Sequence, residues 1–430
     1  MLSSRALTIQ RFATTTARGF ATAVADAAAG GVKVAAVDFG QPTSAVTVLV
    51  KAGSRFQNKE GLANVLKNFA FKSTAKRSAI GTVREAELYG GLLSASLTRE
   101  HLALTAEFLR GDEAFFVDVL SSFITSARFT RHELGEYVQP LVSSDTLTAS
   151  SNPATRALEA AHALAFRSGL GSSLFAPEHS HIGVDEIKTF AEGAFAKGNI
   201  AVVGTNIEAS TLTKLVDASF ASVAATNAST APASKYFGGE TRIESHEGPQ
   251  TVFIGFGTTD SSTSAELATL TAHLSTTPLV KWAKGLSPLA QAVPEGTAVQ
   301  SVYLPYSDAS LFGVVVSSKT TEGAKEAGKA VVETLKKAAK GLTEQELKSV
   351  VAKAKFGAAS EVESREGLVN VLGSKIFTGA DVSVESTLSA FDKVTASSFS
   401  QAVSTLISAK PTFVVVGDSS RLPYADELGL

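Results

Sequence analysis

Three polar side chains lie on one face of a short predicted helix, within the stretch GLANVLKNFAFKST: Asn64, Lys67 and Asn68. Residues at positions i, i+3 and i+4 are neighbours on a helix, so these three could act together on one bound ion. A catalytic zinc ion needs imidazole, thiolate or carboxylate ligands, and a base that activates its water. Asn64 and Asn68 offer neutral amides, and Lys67 is normally a cation. The spacing would let the three side chains share one metal ion, but two amides and an ammonium group cannot serve as zinc ligands and base.

The other candidate sites are weaker. His179 and His181 flank a serine in an apparent loop, but no third ligand is in frame, so a solvated loop is the better interpretation. Glu159 and His162 are three residues apart on a helix so apolar that a packed histidine is expected. No G-x-S-x-G or G-x-x-x-x-G-K-[ST] motif occurs. We therefore predict no catalytic residue, no metal ligand and no bound cofactor.

The composition excludes several classes of protein. The 430 residues include no cysteine, which rules out disulfides, thiolate metal sites and thiol nucleophiles. Apolar runs such as 413–416 are much shorter than the ~18 residues that span a bilayer. Basic residues are not interleaved with aromatic ones, so we expect no nucleic acid partner. With 44% hydrophobic residues, the chain can build a large core. Because its apolar runs are short, we expect any contact with a membrane to be peripheral.

The first twenty residues differ from the rest of the chain. They contain three arginines, several serines and threonines and no acid, and the first acid is Asp26. This composition is typical of a mitochondrial transit peptide, whereas a secretory signal needs a continuous apolar core. Arg18 is followed by Gly19, Phe20 and Ala21, which resembles the mitochondrial cleavage pattern. We predict a transit peptide over residues 1–20, cleaved between Phe20 and Ala21.

Strand and helix patterns alternate irregularly, which indicates an α+β or mixed α/β fold. Strands are predicted at 45–50, 200–203 and 251–256. Helices are predicted at 60–70, 99–110, 113–126, 130–142, 153–168 and 264–274.

Two pairs of segments suggest an internal duplication. FTRHEL at 129–134 matches LTEQEL at 342–347, and NIAVVG at 199–204 matches TFVVVG at 412–417, with the same offset of 213 positions. Chance similarity remains an alternative, since T-x-x-E-L is a common helix start. A small, polar stretch separates the two regions. We predict similar halves at 21–225 and 241–430, with a linker at 226–240.

The order of strand, glycine turn, helix at 60–70 and segment 70–74 resembles the pitrilysin/insulinase family of zinc peptidases. The family helix carries H-x-x-E-H, and a glutamate ligand follows downstream. This resemblance assigns the ligand and base positions to Asn64, Lys67, Asn68 and Ser144, where every functional residue type is replaced. It therefore implies a non-catalytic member of the family. The implied fold is two homologous α+β halves, each a mainly antiparallel sheet packed with helices, enclosing a cavity.

Non-catalytic members of this family are of two main kinds. The substrate-recognising subunit of the mitochondrial processing peptidase has a glycine-rich loop, but the matching segment here, 274–293, contains only Gly285. That segment, with KWAKGLSPLAQA, and the C-terminal LPYADEL resemble instead the core proteins of ubiquinol–cytochrome c reductase, respiratory complex III.

The second resemblance implies a structural subunit without an active site, peripheral to the matrix side of the mitochondrial inner membrane. It would support assembly and stability of the complex. The implied partners are the other core protein, cytochrome b, cytochrome c1 and the iron–sulfur subunit. The recognition subunit of the processing peptidase remains the alternative.

Overall fold

The computed structural model describes residues 24–29, 31–225, 231–260, 264–278, 287–378 and 384–430. The predicted transit peptide, with Phe20 and Ala21, lies outside these residues. So do Gly285 and the first part of the predicted linker, 226–230.

The strands of the described residues form two sheets. The first contains β1 (Val24–Ala29), β2 (Val32–Val37), β3 (Thr43–Val50), β4 (Leu92–Leu97), β5 (Leu102–Leu109) and β6 (Ile200–Thr205). The second contains β7 (Gly239–Glu244), β8 (Gln250–Thr258), β9 (Thr297–Pro305), β10 (Ser310–Ser318) and β11 (Thr412–Gly417).

The strand orders show the repeat directly. The first sheet has the order β1-β2-β6-β3-β5-β4 and the second the order β7-β11-β8-β10-β9. In the first sheet only β2 and β6 pair in parallel, and in the second only β7 and β11 do. If β7 is matched to β2, β11 to β6 and β8 to β3, the second sheet repeats the strand order of the first, in which β1 is an additional edge strand. The predicted α+β fold with mainly antiparallel sheets is confirmed.

Helices cover both sheets. Those before the second sheet are α1 (Leu62–Asn68), α2 (Ala79–Leu88), α3 (Glu113–Ser126), α4 (Arg131–Glu133), α5 (Gln139–Ser151), α6 (Pro153–Phe166), α7 (Val184–Ala194) and α8 (Ala209–Ser219). The later ones are α9 (Ser264–Leu274), α10 (Pro288–Ala292), α11 (Thr321–Ala339), α12 (Glu344–Glu363), α13 (Arg365–Thr378), α14 (Val384–Asp392) and α15 (Ala396–Ser408). A π-helical turn, Leu134–Val138, joins α4 to α5.

The duplicated T-x-x-E segments have the same structure at both places. Thr130 and Thr343 are each the N-cap of a helix, α4 and α12. Each threonine hydroxyl accepts a hydrogen bond from the backbone amide of the glutamate three residues later, Glu133 or Glu346, at 3.3 Å. Such a bond satisfies an amide that has no partner inside the helix. The repeated motif therefore marks equivalent helix starts.

The two sheets exchange helices. Helix α6 packs its Ala157, Ala161 and Ala165 against the second sheet, where small side chains allow a close approach. Helix α13 packs Leu368 and Leu372 against the first sheet. Each helix thus fills the core of the other half, and the halves form one interlocked body.

One predicted helix needs correction. Segment 99–110, predicted as a helix, contains strand β5, in which every second residue is buried from Leu102 to Phe108. That period of two is the pattern of a strand. Segment 70–74, after helix α1, forms turns and one isolated bridge, between Thr74 and Ala127.

The second part of the predicted linker pairs its backbone with the fold. Strand β7 begins at Gly239, inside the predicted linker. The Phe237 amide donates to the Ala165 carbonyl at 2.9 Å, and the Ser234 amide donates to the Asp308 carboxylate at 2.8 Å. A small, polar composition does not prevent a segment from pairing its backbone.

Candidate functional site at helix α1

Helix α1 is fixed by its apolar face. Leu62, Val65, Leu66 and Phe69 are almost completely buried in the core of the first half. Gly61 precedes the helix with a φ of +92°, and a Cβ on it would lie 2.6 Å from the Ala176 Cβ. Only glycine accepts both the conformation and the contact. The core thus sets the position from which the polar face projects.

The predicted polar residues do come together. Asn64 and Asn68 are in contact, since the Asn68 Nδ2 donates to the Asn64 Oδ1 at 3.1 Å. Asn64 also donates to the Leu174 carbonyl at 3.3 Å. The Lys67 Nζ and the Asn68 Nδ2 both donate to one oxygen of Asp145, at 2.7 and 3.1 Å. We call Asn64, Lys67, Asn68 and Asp145 the α1 cluster.

Ser144 is not part of the α1 cluster. It lies on α5 as an exposed residue, whereas the next residue, Asp145, contacts both Lys67 and Asn68. Neighbouring residues on a helix point about 100° apart, so a shift of one position changes which side chain meets α1. Sequence reasoning missed Asp145, although it is the carboxylate adjacent to the predicted position. The assignment of Asn64, Lys67 and Asn68 to former ligand and base positions stays a prediction.

The charges of the α1 cluster are already paired. Burial alone would raise the pKa of Asp145, but the hydrogen bonds from Lys67 and Asn68 outweigh it and hold that pKa below its usual value. The carboxylate is therefore ionised and neutralised by the Lys67 ammonium, which would repel a metal cation. Zinc does not fit this set, because the other side chains are amides. Within the described ranges, no group of three or more acidic or histidine side chains could hold a metal ion.

A cavity of about 460 Å³ lies beside the α1 cluster. It is lined by Asn64, Lys67, Ala95, Ser96, Leu97, Asp145, Thr148, Ala149, Asn152, Thr155, Leu174 and Phe175. All of these residues precede the predicted linker. The larger cavity expected between the two halves stays a prediction.

His162 is a packed histidine, as predicted. Its Nδ1 lies 2.7 Å from the Leu158 carbonyl and its Nε2 lies 2.7 Å from the Tyr306 hydroxyl. A carbonyl only accepts, so Nδ1 carries the proton and Nε2 accepts from Tyr306. Burial, with the charge of Arg99 nearby, lowers the pKa of His162 to about 3. The ring is therefore neutral and joins the two halves. Glu159 is paired with Arg99 instead of with His162.

A buried ionic group lies where the two halves meet, and sequence reasoning missed it. The Arg55 guanidinium donates to Glu100 at 2.7 Å and, through both terminal nitrogens, to Asp308 at 2.7 Å. Ser307 donates to Glu100 through its amide and its hydroxyl, and Ser234 donates to Asp308. We call these five residues the seam cluster. Nothing in the local sequence marks a single arginine as buried.

Comparison with known proteins identifies the fold family. Residues 33–178 match the family model "Insulinase (Peptidase family M16)", and residues 181–353 match the model "Peptidase M16 inactive domain". The chain belongs to the insulinase family, peptidase family M16. The predicted resemblance is therefore confirmed, and one of the two matched models is itself described as inactive.

Several relatives match over nearly their whole length. The chain is 46% identical to "Cytochrome b-c1 complex subunit 2, mitochondrial" of Cryptococcus neoformans, over 94% of each chain. It is 35% identical to the protein of that name from Yarrowia lipolytica, over 96% of this chain and 97% of the relative. The human protein of that name is 28% identical, over 93% and 90%. These relatives carry the name of a respiratory-complex subunit, which agrees with the prediction of a non-catalytic member.

The structure also bears on the membrane. In the described part of the chain, no helix combines the length and the apolar character needed to cross a bilayer.

Proposed function

We propose that this chain is a non-catalytic structural subunit of the mitochondrial cytochrome b-c1 complex, ubiquinol–cytochrome c reductase. The observation that carries the proposal is its near full-length similarity to relatives named as subunit 2 of that complex. In this role the chain supports the assembly and stability of the complex without an active site of its own.

The structure supports a scaffold in two ways. The α1 cluster pairs its charge internally and presents amides where zinc would need imidazoles. The exchanged helices α6 and α13 and the seam cluster join the halves through both apolar packing and buried ion pairs. Contacts of both kinds between the halves suit a subunit that holds its neighbours in place.

The proposed location is the matrix side of the mitochondrial inner membrane, as a peripheral subunit. The proposed partners are the other core protein, cytochrome b, cytochrome c1 and the iron–sulfur subunit. Import would depend on residues 1–20, which we propose are removed between Phe20 and Ala21.

Isolation of the native protein from mitochondria in mild detergent tests this proposal. We expect it to co-purify with cytochrome b, cytochrome c1 and an iron–sulfur subunit. Recovery as a soluble pair with a single H-x-x-E-H protein, free of haem, would overturn the proposal in favour of a processing-peptidase recognition subunit. A variant with Asn64, Lys67 and Asn68 all changed to Ala removes the polar side chains of helix α1. It should still assemble with these subunits, because the proposed role does not use those side chains.

A further inference from the structure

An open groove runs along helix α2 on the surface of the first half. Its volume is about 820 Å³, and its two walls are α2 and segment 128–137, with residues 71–73 between them. The apolar part of its lining consists of Phe71, Ile80, Val83 and Tyr137. We call it the α2 groove. It is separate from the α1 cluster, with which it shares no lining residue.

The apolar side chains of the α2 groove are unusually exposed for their type. Ile80 is 63% exposed, Val83 49% and Tyr137 53%. Isoleucine and valine lose side-chain freedom in a helix, so on a solvent-facing helix surface they give neither propensity nor packing. Ile80 and Val83 are three residues apart, which places them side by side on α2. Both features indicate a surface that another chain covers.

The walls of the α2 groove are held in place by a buried carboxylate. Glu133 accepts hydrogen bonds from the Ser73 amide and the Thr130 hydroxyl, both at 2.9 Å. Phe71 and Phe129 adopt positive φ angles of 61° and 45°, which side chains of their size rarely do. Such conformations persist only where the surrounding structure fixes them. The groove is therefore formed before any ligand binds, which lowers the cost of binding.

The charges around the α2 groove are mostly positive. Lys72, Arg84 and Arg128 line it, and in the described ranges none of the three makes an ion pair or a side-chain hydrogen bond. Glu133 is already engaged with the groove walls, and Glu87 is the other acid of the lining. The charge of Lys72 acts on Glu133, which leaves Arg84 and Arg128 without a nearby acidic partner among the described contacts. Two such cations beside exposed apolar side chains fit a ligand that carries aliphatic side chains together with carboxylates.

We propose that the α2 groove binds an acidic amphipathic helix contributed by another subunit of the assembly. Its aliphatic side chains would pack on Ile80 and Val83, and its carboxylates would pair with Arg84 and Arg128. A helix laid along a hydrophobic groove is a common mode of protein recognition. This inference rests on the proposed function, because the partner is drawn from that complex.

The test compares two substitutions on one helix in the full chain. Val83→Glu places a carboxylate in the groove, whereas Leu88→Glu changes a still more exposed residue, at 83%, that does not line it. The measured quantity is the fraction of the chain that stays with cytochrome b through a salt wash. We expect roughly a tenfold loss of retention for Val83→Glu and little change for Leu88→Glu. Equal retention of the two variants would overturn the inference.

Two further measurements test the groove without placing a charge in it. Hydrogen exchange at 79–88 and 128–137 should slow in the assembled complex relative to the free chain. A photo-crosslinker at Ile80 should capture a peptide of another subunit that combines acidic and aliphatic residues. Crosslinks to phospholipid, or to a second copy of this chain, would contradict the proposal.

The proposed function and the α2 groove proposal fail on different results. If the wild-type chain does not co-purify with cytochrome b, the proposed function fails. If the chain co-purifies with cytochrome b but hydrogen exchange at 79–88 and 128–137 is unchanged, only the α2 groove proposal fails.

Discussion

The seam cluster and the α1 cluster use similar side chains in different surroundings. In the seam cluster the Arg55 side chain is 4% exposed and touches two carboxylates, one from each half. In the α1 cluster the Lys67 side chain is 21% exposed and touches one carboxylate, Asp145, from its own half. The cation that joins the halves is more deeply buried than the cation of the α1 cluster.

Burial decides what each cluster contributes. Charges removed from water are costly unless further hydrogen bonds satisfy them, and removing one partner leaves an unpaired buried charge. The seam cluster meets this requirement, because Ser234 and Ser307 supply additional donors. Lys67 and Asp145 are 21% and 32% exposed, so water screens their attraction more than it screens that between Arg55 and Glu100, at 4% and 11%. Loss of the Lys67–Asp145 pair should therefore matter less. The molecule therefore depends on its seam far more than on its α1 cluster.

The largest effect is expected at the seam. Arg55→Met removes the cation between Glu100 and Asp308 and leaves two carboxylates facing each other. We expect the free energy of unfolding to fall by about 3–5 kcal/mol, as measured by denaturant unfolding at pH 7.

Lys59→Met is the matched control for Arg55→Met. Lys59 forms an ion pair with Glu186, but both side chains are about two-fifths exposed. That substitution should cost less than about 1 kcal/mol. Equal losses for the two variants would show that burial does not separate these ion pairs.

The next effect is a pH dependence to which His162, between the two halves, contributes. His162 is neutral in the folded protein, with a pKa of about 3, and titrates near 6.5 when unfolded. Below about pH 6.5 the unfolded chain gains a proton that the folded chain does not, so stability falls as the pH falls. We expect His162 to account for a loss of about 2 kcal/mol between pH 7 and pH 5.

His162→Gln isolates this contribution. Glutamine can still donate and accept but does not titrate, so the variant should have a flatter curve of unfolding free energy against pH. His246→Gln, at a side chain that is 89% exposed, should follow the wild-type curve. Burial also lowers the pKa of His101, to about 4, so part of the slope should remain in the variant. A slope that is unchanged by His162→Gln would exclude any contribution from His162.

Local patterns predicted the parts of the fold that depend on local structure. The capping threonines Thr130 and Thr343 revealed the repeat because a cap acts within three residues. Strand β5 was predicted as a helix, although the alternation from Leu102 to Phe108 was already visible. The period of two along this segment, and not a helical period, matches the buried positions.

The remaining features depend on contacts distant in sequence. The composition of α6 suggested a packed helix, but not that Ala161 would pack on the second sheet instead of the first. Arg55 lies 253 positions from Asp308, and no local pattern joins them. The site was predicted in part, since Asn64, Lys67 and Asn68 do meet. Ser144, the position that the family resemblance indicates, is exposed, and the contact with α1 is made by Asp145, because a shift of one residue turns a helical side chain by about 100°.

A small effect is expected in the α1 cluster. Lys67→Met removes one of the donors to Asp145 and leaves Asn68 in place. We expect a loss of less than about 1 kcal/mol at pH 7. The pKa of Asp145 should move up toward its ordinary value, which an NMR titration of its carboxyl group would detect. The stability difference should then vanish at acid pH, where Asp145 is protonated in both proteins. A loss as large as that of Arg55→Met would show that the α1 cluster also supports the fold.

The smallest expected effect is on proteolysis. Asn64→His, Lys67→Glu and Asn68→His together supply two imidazoles and a base, and they free the Asp145 carboxylate from its lysine. We expect this triple variant to bind zinc, by calorimetry, and to cleave a fluorogenic peptide no faster than wild type, because a metal alone does not supply the rest of a catalytic site. Adding Ser144→Glu should change neither result, since Ser144 lies outside the α1 cluster. Chelator-sensitive cleavage would show that the peptidase site survives apart from its ligands. If zinc binding requires Ser144→Glu, the third zinc ligand comes from position 144 and not from Asp145.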